Sequence, residues 1–467
     1  MGGNKYVQKS PIPANLKKTR SGVAIAVTLA TSMIGTTPAL AANWFQLQGV
    51  SPPDASRVAV SGFLEPDYSA FQGGGTPTIN GFVPNSNMAG PNFTSSDTFQ
   101  ILRARLMIRG NLNKNISYFM GGEFGDNGLT HTGNGYAPSL IDAHVTFSHY
   151  IRGVRIEGGI IRAPGPEQAM QGYMGYNFTN FAGVTQQLML QPFYNPDVPT
   201  GTYLSGGLIP PGAQAIPDAY GEGVNGFRYP GVMAMDWFNY GRWQTAYGIM
   251  AGNFSPLTGT NSGNSLLYAA RAQESYIFGG RGPFRSDVTG FAWYQNADPL
   301  FNGLNYQMRR YGTGVTYSQG YMHPWGRWIK AEYMKGSGMI STPAVFSSAT
   351  GLPAQLTDAL LYPGSNNTAH GYYIGAGLFV TKRLEVDLRY DVYNRLPNLP
   401  AQNRVFTTYA AGLQYHFTPL TRVMLDYYAR TASIPDPNAI APSARPLAES
   451  VTSQLDNEIM MQAVLSF

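Results

Sequence analysis

Polar and apolar residues alternate along much of this chain in segments of about ten residues. In the segment RLEVDLRYDV, at residues 383–392, leucine, valine and tyrosine fill every second position and charged residues fill most of the others. A β-strand places alternate side chains on opposite faces, whereas a helix would scatter these charges around its axis. The segment therefore predicts a strand with one apolar face and one charged face. The charged positions that alternate in this way are Glu385, Asp387, Arg389 and Asp391.

Segments of this kind recur, and the connections between them alternate in length. Short connections such as GNLNKN and HYIRG follow long ones such as residues 71–96, which are rich in Gly, Asn, Ser and Pro. An even number of strands, with short turns at one rim and long loops at the other, is typical of bacterial outer-membrane barrels. Sixteen strands are predicted, starting near residues 57, 98, 116, 140, 154, 232, 243, 267, 287, 310, 327, 370, 384, 405, 422 and 457.

The pattern predicts an all-β fold, a 16-stranded antiparallel transmembrane β-barrel with short periplasmic turns and long extracellular loops. A soluble β-sandwich or propeller also contains alternating strands. We disfavour it because the apolar faces carry Tyr, Leu, Val and Trp with almost no charge, and because strands of about 9 to 12 residues can cross a bilayer. The chain also ends in a strand-like segment, EIMMQAVLSF at residues 458–467, which would close the barrel.

The N-terminal segment has the features of a secretory signal peptide. Five basic residues precede an apolar run at residues 23–35, and the small-residue stretch ending at Ala41 follows. Because the run is shorter than the roughly 20 residues of a spanning helix, we expect a signal peptide at residues 1–41 and a single barrel domain at residues 42–467. The five basic residues equal the formal net charge of +5, so charge gives no reason to expect nucleic acid as a partner.

Alternation also assigns charged side chains to the barrel interior. Strand 2 would carry three arginines and strand 13 mostly acids, about five strands apart around a closed barrel of this size. Opposed rows of this kind create a field that orients polar solutes and attracts small ions. The basic candidates for pore-lining, anion-attracting residues are Arg103, Arg105, Arg109, Arg155, Arg162, Arg271 and Arg389. The acidic pore-lining candidates are Asp142, Glu157, Glu332, Glu385, Asp387, Asp391 and Asp426.

These charges have two interpretations. Residues two apart on one face of a strand are about 7 Å apart, so Arg155 with Glu157, and Lys330 with Glu332, could pair and only stiffen the wall. For the strand 2 arginines we favour a functional role, because the segment itself contains no acid that could pair with them. A guanidinium group stays charged and can bind two oxygens of a phosphate or carboxylate. We therefore expect a mild preference for anions.

The longest connection, residues 163–231, follows strand 5 and is too long for an idle loop. It contains many aromatic, Met and Gln residues, with Glu167 near its start and Arg162 just before it. We expect this loop to fold into the barrel and narrow the pore to a constriction of mixed character. The alternative is a loop that stays on the outer surface and carries another function.

Several short motifs resemble the phosphate-selective porins O and P. The stretch VRIEGGIIRAPGPEQ is similar to that family's strand-to-third-loop motif at Gly159, Arg162 and Pro164, and AGNF, YAARA, IKAEYM and LRYDVYN are further similar pieces. The resemblance implies a 16-stranded, trimeric, water-filled pore. The family usually has Lys where this chain has Arg162, and only four Lys follow residue 41. The resemblance therefore does not assign phosphate as the solute.

The sequence predicts a passive channel rather than an enzyme. Its six His are dispersed, and no spacing of residues indicates a catalytic, cofactor-binding or metal site. The expected partners are small hydrophilic solutes or inorganic anions, the lipid of a Gram-negative outer membrane, and further copies of the chain in a homotrimer. Two alternatives remain: a barrel that sheathes a partner protein, and a surface-binding or adhesive barrel that acts through its long loops.

Overall fold

Within the part of the chain that is described, sixteen antiparallel strands form one closed barrel. The residues described by the computed structural model are 44–47, 57–72, 97–127, 129–132, 135–172, 175–190, 214–216, 227–254, 265–280, 284–301, 304–342, 359–442, 445–453 and 455–467. The expected signal peptide at residues 1–41 lies outside them. The barrel strands β1 to β16 are, in chain order, Ala59–Gln72, Thr98–Asn113, Ile116–Glu123, Ser139–Ile151, Val154–Arg162, Arg228–Tyr240, Trp243–Asn253, Leu266–Gly279, Ser286–Ala297, Met308–Gln319, Arg327–Ser337, Thr368–Phe379, Leu384–Arg395, Arg404–Thr418, Thr421–Ser433 and Asn457–Ser466.

The topology confirms the predicted barrel. Each barrel strand pairs with the next one along the chain, and β16 pairs with β1. Short turns such as residues 114–115 and 241–242 lie at the rim where β1 begins, and the long connections lie at the opposite rim. The predicted strand starts agree with the observed bounds to within about four residues. The connection after β5 ends at residue 227 rather than 231, because residues 228–231 already pair with β5.

The alternation of the sequence becomes an inward and an outward face. On β13 the inward Asp387 is buried and the outward Leu388 is 63% exposed. In the half of the barrel nearer the long loops, each strand from β8 to β15 carries one outward tyrosine. Aromatic belts of this kind lie at the level of the lipid headgroups. The members of this tyrosine belt are Tyr268, Tyr294, Tyr311, Tyr333, Tyr372, Tyr390, Tyr409 and Tyr427.

The chain terminus forms the seam that closes the barrel. The backbone N–H of Gly62 donates to the carbonyl oxygen of Phe467 at 3.0 Å, and the N–H of Phe467 donates back to Gly62 at 3.0 Å. The Phe467 ring lies over Gly62 on the outward face, so closely that a Cβ at position 62 would be 2.4 Å from a ring atom. The Phe467 ring therefore packs in the space that a side chain at position 62 would fill, and the two residues are also paired through their backbones.

Two segments that are not barrel strands lie inside the barrel. We call residues 163–172 and 175–190 of the connection between β5 and β6 loop L3; they contain a helical turn at Glu167–Met170 and a π-helical turn at Thr185–Met189. A further helical turn, Trp44–Leu47, precedes β1, and its Phe45 is only 1% exposed. Among the residues described, no helix is both long enough and apolar enough to cross a membrane.

Candidate functional site

Loop L3 turns into the barrel immediately after β5. At Gly159 the backbone has φ +136°, and a Cβ there would lie 2.0 Å from the carbonyl oxygen of Ala143, so only glycine fits this bend of the strand. Arg162 then directs its guanidinium to the loop itself: Nη1 donates to the carbonyl oxygens of Ala169 at 3.0 Å and Gln171 at 2.8 Å. These are carbonyls at the end of the helical turn, where a helix leaves acceptors without partners. Arg162 therefore fixes the direction in which L3 enters the lumen.

The first part of L3 is bound to strands β8 and β11. Arg271 on β8 donates from Nη1 to Gly165 O at 2.8 Å and from Nη2 to Glu167 Oε2 at 2.5 Å. Glu332 on β11 accepts the backbone N–H of Glu167 at 3.1 Å. Burial acts to raise the pKa of Glu167, but the Arg271 charge, the Gln171 amide and Lys330 outweigh it and lower that pKa. Glu167 is therefore an anion held between wall cations.

The middle of L3 crosses to the far wall. Lys330 on β11 donates from Nζ to Gly175 O at 2.9 Å, and Gln414 on β14 donates to Asn177 O at 3.0 Å. On β15, Asp426 accepts the backbone N–H of Thr179 at 2.7 Å. These contacts place L3 across the lumen from β5 to β15. The loop's backbone groups are paired with wall side chains, as buried backbone groups require.

The next residues of L3 are bound to β13 and β16. Arg389 donates from Nη1 to Asn180 O at 2.7 Å, and Asp391 accepts the backbone N–H of Gly183 at 2.9 Å. Glu458 on β16 accepts the side-chain amide of Asn180 at 2.8 Å. Two of the predicted pore-lining residues, Arg389 and Asp391, are therefore bound to the loop and also to each other at 3.0 Å.

The acidic residues of β13 face buried partners. Trp328 on β11 donates from Nε1 to Glu385 at 2.8 Å and to Asp387 at 2.9 Å. His416 lies 2.7 Å from Glu385, and Gln414 donates to Asp387 at 2.6 Å. Both carboxylates are at most 2% exposed. The acidic side of the predicted field is therefore covered by neighbouring side chains.

The strand 2 arginines have partners on both neighbouring strands. Arg103 binds Glu65 on β1 at 2.7 Å, and Arg105 binds Glu123 on β3 at 2.6 Å. Each acid lies directly opposite its arginine in the strand register. The expectation that these arginines lack acidic partners is therefore wrong for Arg103 and Arg105, because their partners lie on the neighbouring strands rather than on β2 itself. Arg109 also lies on the inward face and forms no ion pair within the described part of the chain.

The remaining predicted residues also have identifiable surroundings. Asp142 binds Arg228 at 2.8 Å, and Glu157 accepts from Thr146 at 3.0 Å. The two suggested pairs within one strand do not form. Arg155 contacts Asp236, with its guanidinium 3.8 Å from the centre of the Trp237 ring. Lys330 instead binds L3, and Glu332 accepts from Trp293 at 2.7 Å and Tyr373 at 2.9 Å.

The two sides of the barrel interior differ in exposure. On the far wall, inward residues such as Asp387, Ala410 and Asp426 are at most 3% exposed because L3 and neighbouring side chains cover them. On β2, the side chains of Arg103 and Arg105 are 16% and 12% exposed, whereas their acidic partners are 1% and 0% exposed. The inward side chains of β2 are therefore less covered than those of the far wall. We call the space between β2 and L3 the near-wall passage.

A cavity of about 110 Å³ lies at the side of the lumen nearer the short turns. Its position follows from its lining, which includes residues of the turns at 280–285 and 320–326 as well as L3. Charged side chains of both signs and six aromatic residues line it. The lining includes Trp44, Glu167, Arg285, Tyr321, Lys330 and Glu385.

Comparison with known proteins supports the fold. No protein-family model and no curated protein matches the sequence. Among solved structures, the anion-selective porin from Comamonas acidovorans is 12% identical, with 89% of this chain and 100% of that chain covered and a TM-score of 0.51. Salmonella typhi OmpF is 13% identical, with 88% and 97% covered and a TM-score of 0.48. The outer membrane channel DcaP of Acinetobacter baumannii is 11% identical, with 88% and 97% covered and a TM-score of 0.46.

The first of these similarities bears on the architecture, since its identity is too low to transfer a function. It agrees with the closed 16-stranded barrel and with a porin-type fold. The finer resemblance to the phosphate-selective porins rests on the short motifs alone and stays a prediction.

The contacts of Arg271 predict that this residue holds the start of L3. Arg271→Gln should leave Glu167 buried without its cation, at a cost of about 3–5 kcal/mol, and should speed hydrogen exchange across residues 163–172. Arg285→Gln is the matched control, because Arg285 is also buried but binds Asp287, Gln244 and Ser275 on the wall. Equal exchange of L3 in the two variants would contradict the assignment.

Proposed function

We propose that this protein is a passive diffusion channel of a Gram-negative outer membrane, for small hydrophilic solutes and inorganic anions. The observation that carries the proposal is the near-wall passage, where polar and charged side chains are partly exposed inside a closed barrel. Loop L3 is the constriction that sets the width of this passage. Selectivity then comes from pore width and wall charge, without any catalytic step.

The charges of the near-wall passage favour anions. Arg103 and Arg105 are partly exposed while Glu65 and Glu123 are buried, so each ion pair presents more of its positive than of its negative member to the passage. Arg109 and Arg162 add positive charge, since neither has a carboxylate within ion-pair distance in the described residues. Fields of this kind are strong where walls of low dielectric constant confine them, and salt weakens them within about 8–10 Å. An anion preference that declines with ionic strength is expected.

The contents of the lumen bear on the alternative functions. A barrel that sheathes a partner protein needs an interior free to receive it, whereas here L3 is bound across the lumen by its own wall. A surface-binding or adhesive barrel would act through the long connections, much of which lies outside the described residues. Nothing in the lumen supports that role over conduction.

Arg109 offers a clean test of the anion preference, because its removal leaves no buried acid behind. We expect Arg109→Gln to shift the zero-current potential of the purified protein toward the cation side under a tenfold KCl gradient. Arg109→Glu should shift it further. Arg309→Gln is the matched control, since Arg309 lies on the outward face of β10, and it should leave the potential unchanged.

Two results would contradict the proposal. A cation-selective parent protein, or an Arg109→Glu variant with the potential of the parent, would show that the strand 2 arginines do not set selectivity. A folded barrel with no measurable current would remove the channel function and favour the sheath or the adhesive barrel.

We further propose that the channel is a homotrimer whose contact face lies on strands β4 to β7. The tyrosine belt is not continued on these strands, whose outward positions near the long loops include Leu140, Ile160, Pro230 and Ala251, whereas β1 and β2 again carry outward aromatic side chains there, Tyr68 and Phe99. Lipid-facing strands carry aromatic side chains at the headgroups, and a surface covered by protein has no need of them. Small and aliphatic side chains also let two sheets approach closely.

A carboxylate beside this face supports the same assignment. Glu274 is exposed on the outward face of β8 and accepts from Thr245 Oγ1 on β7 at 2.5 Å. A charged group on the lipid face destabilises a barrel by an amount that grows with depth. Contact with a second copy would remove Glu274 from lipid and give it polar neighbours.

The proposed contact face predicts a selective effect on assembly. Ala251→Arg should convert trimer to monomer, measured as the mass of the detergent-solubilised protein, because it places a charge in the protein contact. Ala429→Arg is the matched control. Both alanines face outward opposite a belt tyrosine, Tyr268 and Tyr409 respectively, but only Ala251 lies in the gap. A trimer that survives Ala251→Arg and dissociates with Ala429→Arg would place the contact elsewhere.

A further inference from the structure

The helical turn Trp44–Leu47 lies inside the barrel. Its Phe45 side chain fills a buried site, which we call the seat. The Phe45 ring packs in a buried cluster with Ile161, Met170, Met233 and Met235. Phe45 therefore belongs to one buried cluster with residues from the end of β5, from L3 and from β6. A short segment before the first strand thus joins the loop to the wall.

The seat is shaped by a glycine of β7. A Cβ at Gly248 would lie 2.4 Å from Cε1 of Phe45, so the ring occupies the space that any other residue at position 248 would fill. A buried phenylalanine that fits against a missing side chain contributes several kcal/mol of packing when it is fully enclosed. The position of Phe45 is therefore specified by two separate parts of the sequence.

Trp44 extends the same joint to the charged start of L3. Its Nε1 donates to Glu167 Oε1 at 2.7 Å, on the carboxylate whose other oxygen binds Arg271. Its ring also lies against Gly175, where a Cβ would be 2.8 Å from Cη2. Trp44 therefore contacts L3 at the first residue of the helical turn and again at Gly175 beyond it, and it lines the cavity near the short turns.

We propose that Trp44 and Phe45 are positioning residues for the L3 constriction. The turn at residues 44–47, which we call the clamp, holds the start of L3 against the wall at β7 and β8. It fills part of the lumen on the side of the short turns, and it sets the conductance and selectivity of the channel through the position of L3. This inference rests on the proposed channel function, and nothing in the resemblance to porins supplies it.

Three substitutions each alter a different contact of the clamp. Phe45→Ala empties the seat, Gly248→Ala blocks it from the wall, and Trp44→Phe keeps an aromatic ring but removes the hydrogen bond to Glu167. Gly290→Ala is the matched control for Gly248→Ala, because a Cβ at Gly290 meets nothing within 4 Å. Phe45→Leu is the conservative variant that refills the seat with an aliphatic side chain.

Two measurements on the intact protein separate the clamp from the channel. Hydrogen exchange across residues 163–172 should become at least about tenfold faster in Phe45→Ala and Gly248→Ala, and single-channel conductance should rise in both. Phe45→Leu and Gly290→Ala should resemble the parent. Gly248→Ala should add little to Phe45→Ala, because both act on one contact. Trp44→Phe should shift the zero-current potential more than the conductance, since it alters Glu167 and leaves the seat filled.

Each contrary outcome has a distinct meaning. Unchanged exchange and conductance in both Phe45→Ala and Gly248→Ala would overturn the clamp. Faster exchange with unchanged conductance would also overturn it, since L3 would then be held by the segment without the passage depending on it. If the parent protein carries no current, the channel function fails, and hydrogen exchange alone decides whether residues 44–47 hold L3.

Discussion

Wall side chains that pair with the backbone of L3 hold the lumen in its observed form. Arg271, Lys330 and Arg389 donate to carbonyl oxygens of the loop, while Asp391 and Asp426 accept its N–H groups. A loop inside a barrel cannot form a ladder with a neighbouring strand, so its backbone needs partners of this kind. Charged hydrogen bonds are the strong ones in such a setting. Several of the charges that look like a solute-binding surface in the sequence are therefore bound to loop L3.

This arrangement makes the interior asymmetric. The charged side chains of β13 and β15 bind L3 or are buried beside one another. Those of β2 are partly exposed to the near-wall passage. The acids that neutralise Arg103 and Arg105 are buried, so neutrality of the wall as a whole is compatible with a positive surface along the passage. The proposed anion preference depends on this difference in exposure rather than on a count of charges.

The barrel could be predicted from the sequence because alternate residues of a strand point to opposite faces, so the pattern of polar and apolar residues identifies both faces. The same alternation placed the candidate charges on inward faces. It could not predict their partners, which depend on register across strands. The ladder between β2 and β3 shifts by one residue between Asn111 and Asn113, and this bulge brings Glu123 opposite Arg105. A long connection joins β1 to β2, and its length does not determine the register between these two strands. The packing of Phe45 against Gly248 could not be predicted for a similar reason. The two residues are far apart in the sequence and meet only in the folded barrel.

The most direct test of this account is the accessibility of single cysteines to a charged thiol reagent during current recording, which is clean because the chain has no native cysteine. Met107 is inward and partly exposed on β2, whereas Ala410 is inward and buried on β14. If ions pass along the near-wall passage, the reagent should reduce the current through Met107→Cys and leave Ala410→Cys unaffected. A block of Ala410→Cys with no effect on Met107→Cys would place the passage along the far wall and contradict it.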